Sequence, residues 1–314
     1  MSGNPEVSED RISETQKRRG SYVDVTMMIV LILILILGLA MIYSTSSYRA
    51  VDLYGDSMYF MRRQAVYMFA ALAAMWCVSN VDYRYLLPFS KIILLSSMAL
   101  QILVLVIGTA SHGSARWIYI GPVGFQPSEY AKTAIIIYTA AQAAVHSREL
   151  VHAGRLVRIM ILPVLDIVLI GVENLSTAII CFSVLFSVLF AASPKVRHFV
   201  ILGVFGAAGC VLFILFAGYR ANRVRIWLAP EQYEDGYQTV QSLYAVGSGG
   251  VFGLGFENSV QKKGFIPESH NDMIFSVICE ELGIVGAVLI LVLFVILTYR
   301  LAVIAMNAKD RFGS

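Results

Sequence analysis

Lys262, Lys263, Glu268, His270 and Asp272 share one short polar segment, and Glu280 and Glu281 follow in the apolar run behind it. The stretch 253–283 reads GLGFENSVQKKGFIPESHNDMIFSVICEELG. Nowhere else does the chain set so much ionisable chemistry against so much hydrocarbon. A charge near the middle of a membrane span costs about 2.5–3.5 kcal/mol on insertion scales, so such groups face a cavity or a partner. Asp272 has two readings. A carboxylate at that boundary could do acid–base chemistry. Ser269 and Asp272 also have capping-box spacing ahead of an apolar run, so Asp272 could cap the next helix. A helix N-terminus favours the ionised carboxylate and thereby weakens it as a base.

Glu280 and Glu281 lie deeper. Successive helix positions point about 100° apart, so at most one of them shares a face with Asp272. Both are expected to find packing partners. Gly283 and Gly286 offer a small-residue face for close helix contact. Two other segments carry candidate groups. GSARWIYIGPVGFQPSEYAKTA sets Arg116 beside Trp117, and a Trp at an interface anchors to headgroups. Pro127, Ser128 and Glu129 then read as a helix start. Glu129 and Lys132, three apart on one face, are expected to form a structural ion pair. YRANRVRIWLAP holds Arg220, Arg223 and Arg225, which could meet lipid phosphates or a pyrophosphate, or could simply snorkel. Gly247, Gly249 and Gly250 permit unusual backbone angles or close approach of a ligand.

These groups must be positioned by membrane helices. The chain has 314 residues, 58% hydrophobic and 14% charged, against about 25% charged in a soluble domain. Repeated apolar runs predict an all-α integral membrane protein, a polytopic bundle of about eight spans. Their expected positions are about 23–43, 65–81, 86–107, 128–145, 159–171, from a break at 172–177 to 192, 199–217 and 273–297. Residues 108–127 read as a loop, and a long polar loop separates spans seven and eight. Residues 1–20 read as a disordered tail, with the membrane domain at 21–314. A net charge of +3 gives no reason to expect nucleic acid. Cys77, Cys181, Cys210 and Cys279 all sit in apolar runs and act as small hydrophobes. Basic residues crowd one set of short segments, including Arg84, Arg148, Arg155, Arg158, Lys195 and Arg300. That asymmetry puts both termini in the cytoplasm and the Asp272 segment outside.

Taken together, GSARWI…GP…FQPSEYAK, YRANRVRIWLAP and the stretch from Gly236 to Gly283 resemble the SEDS proteins (shape, elongation, division and sporulation), the polytopic polymerases of bacterial cell-wall synthesis. The ENSVQKKGFIPE form is similar to the FtsW and SpoVE branch, with RodA the related branch. The resemblance implies a peptidoglycan glycosyltransferase that polymerises lipid II on the outer face of the cytoplasmic membrane. The family's essential aspartate falls on Asp272, as proton acceptor or as ligand of a divalent cation, Mg or Mn. Arg116, Trp117, Arg220, Arg223, Lys263 and His270 are then expected to bind substrate. Glu129 and Lys132 match the family's intramembrane pair. The implied partners are lipid II, a class B penicillin-binding protein and other division or sporulation proteins. Lipid II flipping and non-catalytic scaffolding are the competing roles. The chain departs from the family at 173–177, which read ENLST rather than PDLGT, and at Asn271, where the family commonly has Thr. It also ends about two spans short of the family's usual ten.

Overall fold

The computed structural model describes residues 23–111, 114–120, 123–193, 195–204, 206, 225–267 and 269–313. The expected tail at 1–20 lies outside them. The chain is a polytopic helical membrane protein. Its main helices are α1 (Val25–Tyr54), α2 (Tyr59–Ser79), α3 (Leu86–Ile107), α4 (Pro127–Val145), α5 (Ala153–Glu173), α6 (Leu175–Ala192), α7 (Tyr237–Ser248) and α8 (Ile274–Met306). Among the described residues α1, α3, α6 and α8 are long and apolar enough to cross a membrane. The helices α2, α4 and α5 occupy expected spans but carry Arg62 and Arg63, Glu129 and Lys132, and Arg158 and Asp166 respectively. A helical stretch at 196–204 covers the start of the expected seventh span, 199–217, most of whose remainder lies outside the described residues.

Helix ends follow local chemistry. The Asp24 carboxylate accepts the Met27 N–H at 2.9 Å and caps α1. Gly55, at φ 69°, closes its far end by donating its N–H to Val51. Helix α1 therefore runs well beyond Tyr43, the expected end of the first span, and carries Ser44–Ser47 as helical residues. Helix α5 is likewise longer than the short fifth span expected. The 173–177 departure has a structural role, since Asn174 ends α5 and caps α6 by accepting the Thr177 N–H at 3.2 Å.

The chain forms two compact units, Met1–Ala73 with Arg225–Ile304, and Ala74–Val224 with Ala305–Ser314. In the second unit α3 packs on α4, and α5 and α6 complete the bundle. Leu94, Ile135, Leu156, Ile170, Leu185 and Leu189 form its core, and Ala131 and Ala134 let helices approach closely. Asp166 is fully buried on α5, where it accepts a hydrogen bond from Ser97 Oγ of α3 at 2.7 Å.

The 108–127 segment is not simply a loop. It contains β1 (Thr109–Ser111), β2 (Ser114–Ile120) and β3 (Val123–Phe125), an antiparallel sheet in the order β1-β2-β3. The run Trp117-Ile118-Tyr119-Ile120 has the β-branched and aromatic character that favours strands. Trp117 and Tyr119 point to one face and stack at 6.3 Å.

In the same unit Arg84 Nε meets Asp310 Oδ2 at 2.7 Å, tying the 305–313 tail to the turn before α3. The Arg84 hydrogen bond, followed by the Gly313 N–H, holds the Asp310 carboxyl below its usual value of 3.8. A lowered value means the tie is intact at neutral pH and is lost as pH falls through the folded-state value. NMR titration of the Asp310 carboxyl carbon should show a midpoint below 3.8, and Arg84→Gln should move it back up.

Candidate functional site

The candidate site belongs to the first unit and starts from a break in α8. Gly283 sits at φ 66°, ψ −167°, inside an otherwise continuous apolar helix. Such a break orphans backbone groups, each costing several kcal/mol in hydrocarbon. Here the glycine-rich segment 249–255 supplies the missing partners. Leu254 and Gly255 donate their N–H groups to the carbonyls of Glu280 and Glu281, both at 2.9 Å. Ile284 and Val285 donate to Gly250 and Val251 at 3.0 and 3.2 Å. The two main chains approach so closely that no side chain fits between them. A Cβ on Gly283 would lie 2.4 Å from the Gly253 nitrogen, one on Gly253 2.1 Å from the Glu281 carbonyl oxygen, and one on Gly249 1.9 Å from that of Cys279. The glycine cluster thus serves main-chain pairing. Gly283→Ala and Gly253→Ala should each destabilise the unit by at least about 3 kcal/mol, because strained backbone and lost hydrogen bonds add. Melting in detergent and the yield of monodisperse protein would measure it.

The break brings the two adjacent acids under the 259–262 turn. Glu281 is completely buried and accepts from Ser44 Oγ of α1 at 2.7 Å and from Lys262 Nζ at 2.8 Å. Lys262 Nζ also donates to Ser44 Oγ at 2.8 Å. Glu280 accepts from Ser259 Oγ and from the N–H groups of Val260 and Gln261 at 3.0 and 3.4 Å. Both acids therefore have packing partners, as their depth led one to expect. Ser44 and Ser259 complete the arrangement. The signal for Ser44 was the polar run STSS directly after the apolar stretch of the first span.

From this anchored base the chain runs outward to Asp272. Ile266 packs with Ala245, Val277 and Met273. Arg49 Nη1 donates to the Pro267 carbonyl, and Ser269 Oγ donates to that of Thr45 at 3.1 Å. The His270 ring lies 5.1 Å from that of Phe60. Pro267, Ser269 and His270 are thus held by α1 and Phe60, and Asp272 emerges two residues before α8 begins at Ile274. Ser269 is not the N-cap of α8, which begins only at Ile274, and its hydroxyl donates to Thr45 instead. Asp272 is exposed, and it makes no hydrogen bond or ion pair with any other described residue. Lys263 is also exposed and, with Tyr43, Tyr48, Ser57 and Glu257, lines a cleft of about 320 Å³ along α1.

The remaining candidates belong to the second unit or fall outside the description. Glu129 and Lys132 form the expected ion pair at 2.7 Å, in the first turns of α4, with side chains 58% and 33% exposed. Trp117 stacks on Tyr119 in β2, and Arg116 belongs to the same strand. Arg220 and Arg223 lie outside the described residues. Among the described residues no three His, Cys, Asp or Glu side chains converge as a metal site. Asp272 offers one carboxylate, a donor set suited to a magnesium-like ion that takes its other ligands from water and phosphate oxygens.

A family model described as cell cycle protein, covering FtsW, RodA and SpoVE, matches residues 24–314. Stage V sporulation protein E of Bacillus subtilis (strain 168) is 35% identical over 303 residues, 93% of this chain and 81% of that protein. A probable peptidoglycan glycosyltransferase FtsW of Geobacter sp. (strain M18) is 32% identical over 302 residues, 94% of this chain and 82% of that protein. Among solved structures, a chain of a peptidoglycan synthase complex that coordinates polymerization and crosslinking superposes with a TM-score of 0.75 at 24% identity, covering 94% of this chain and 81% of that one. Rod shape determining protein RodA of Thermus thermophilus gives a TM-score of 0.63 at 21% identity, covering 95% and 81%.

Proposed function

The chain belongs to the FtsW, RodA and SpoVE family of cell cycle proteins, and on that premise we propose that it is a peptidoglycan glycosyltransferase that polymerises lipid II at the outer face of the bacterial cytoplasmic membrane. The observation that carries the reading is Asp272: an exposed carboxylate with no partner among the described residues, held on a rigidly anchored segment at the mouth of α8. A group tied up in a cap or an ion pair would have to break those bonds before taking a proton. Asp272 does not.

In the proposed reaction the 4-hydroxyl of a GlcNAc on one lipid II attacks the anomeric carbon of the MurNAc of another. The bond from that carbon to the pyrophosphate breaks, and undecaprenyl pyrophosphate leaves with its electron pair. Asp272 takes the hydroxyl proton. Lys263, exposed in the same outer segment, meets the leaving pyrophosphate, and Arg220 and Arg223 are the further cations proposed for it. A divalent cation held by Asp272 would supply additional charge neutralisation at the phosphates. His270, Arg116 and Trp117 are proposed to contact the sugar or lipid portions.

A flipping role would need free charges along the span. Glu280 is enclosed by three donors and Glu129 is paired with Lys132, while buried Asp166 accepts from Ser97 through one oxygen only. The engagement of Glu280 and Glu129 favours polymerisation. A class B penicillin-binding protein is the proposed partner, in division or sporulation, and both termini are proposed to be cytoplasmic.

The test is polymerisation of labelled lipid II by the purified chain, with and without its transpeptidase partner. Glycan strands would support the reading. Lipid II flipping in vesicles without any strands would replace polymerase by transporter. Activation of the partner's crosslinking without either would make the chain a scaffold.

A further inference from the structure

The second unit contains a groove unconnected with the proposed chemistry. It lies between the C-terminal turns of α4 and α6, closed at one end by the 311–313 tail, and its volume is about 990 Å³. Ala140, Ala144, Val188 and Ala191 make its walls apolar and shallow, while Arg148 and Arg311 stand at its mouth. Both arginines are exposed, and neither is paired with an acid among the described residues. The nearby Glu149 is already engaged, with Arg155 at 3.0 Å. Arg311 is held in place because its neighbours are tied down: Asp310 is bonded to Arg84, and the Phe312 ring lies 5.9 Å from that of Tyr83.

We propose that this groove binds one anionic phospholipid of the leaflet facing the 146–152 turn, with its phosphate at Arg148 and Arg311 and one acyl chain against α4 and α6. Three features argue for that occupant. From Ile136 to the end of α4 at Val145 the groove runs roughly 14 Å at the helical rise, about half of the ~30 Å hydrocarbon core and so the depth of one leaflet. Its two unpaired guanidiniums match a phosphate in charge and geometry. The mouth is also where two helices end, and helix C-termini repel anions. Without the arginines the site would reject an anionic lipid, so selectivity rests on them. Basic pockets between membrane helices are a recurrent way of holding acidic headgroups.

The test titrates the purified chain in detergent with phosphatidylglycerol or phosphatidylethanolamine of identical acyl chains, reading bound lipid by native mass spectrometry. One phosphatidylglycerol should bind preferentially. The double variant Arg148→Gln with Arg311→Gln should lower its affinity about thirtyfold, as expected for two lost surface cations, and remove most of its preference over phosphatidylethanolamine. Arg158→Gln, outside the groove, should change neither. Ala144→Phe, which obstructs the wall, should weaken both lipids. Equal affinity of the native chain for the two lipids, or an unchanged preference in the double variant, would overturn the proposal. Displacement by equimolar polyprenyl phosphate would overturn the choice of occupant. None of these readouts depends on glycan synthesis.

Discussion

Asp272→Asn is expected to cut glycan-strand synthesis by at least about a hundredfold while leaving the protein folded and its partner bound. A positioned general base contributes about 10²–10⁴ in rate, and an amide of the same shape cannot take the proton and, lacking the charge, holds a cation more weakly. The structural cost should be small. Asp272 is exposed and bonded to nothing else described, and substitutions at such positions stay within about 0.5 kcal/mol. Melting temperature and partner co-purification should therefore match the native chain. Labelled lipid II with gel separation of the strands measures the activity. Equal strand yield from both proteins would remove Asp272 from the chemistry.

The second large effect concerns folding. Glu281→Gln leaves the Lys262 ammonium buried without its counter-charge, and Lys262→Met leaves the Glu281 carboxylate with Ser44 and the Ser259 N–H as donors. Removing one partner of a buried ion pair costs about 3–5 kcal/mol. Each single variant should therefore lose much of the folded population in detergent melts. The double variant should recover a large part of the loss, because neither member of the pair is left as a buried charge without the other. Strictly additive losses would mean the two groups do not act as a pair. Asp272 should remain chemically competent in whatever fraction stays folded, so activity per folded molecule separates this effect from the first.

Much of this arrangement is legible in the sequence because membrane helices announce themselves. The apolar runs located α1, α3, α4, α6 and α8 to within a few residues at most ends, and the ordered motifs identified the family. Glu129 and Lys132 pair because helical spacing alone brings them together. The misreadings share a cause, which is that distant contacts override local signals. The apolar run of the first span stops at Tyr43, yet α1 continues through Ser44, which is held by Glu281, 237 positions away. The capping-box spacing of Ser269 and Asp272 is real, but the Ser269 hydroxyl goes to Thr45 on another helix. The break at Gly283 is invisible to hydropathy, since nothing in an apolar run shows that a second strand of backbone must lie against it. The small sheet at 109–125 was hidden by glycines and serines that resemble loop composition.

The pairing of 249–255 with the broken helix bears on how the protein enters the bilayer during synthesis. Val251 and Val285 are 34 positions apart and Leu254 and Glu280 only 26, so this hairpin-like element can close as soon as the first turns of α8 have been made. It carries its own donors, Ser259, Val260 and Lys262, to the two acids that would otherwise meet lipid naked. Closing it early shields Glu280 and Glu281 before either reaches the hydrocarbon. The later encounter with Ser44 then docks onto α1 an element whose two acids already have hydrogen-bond donors.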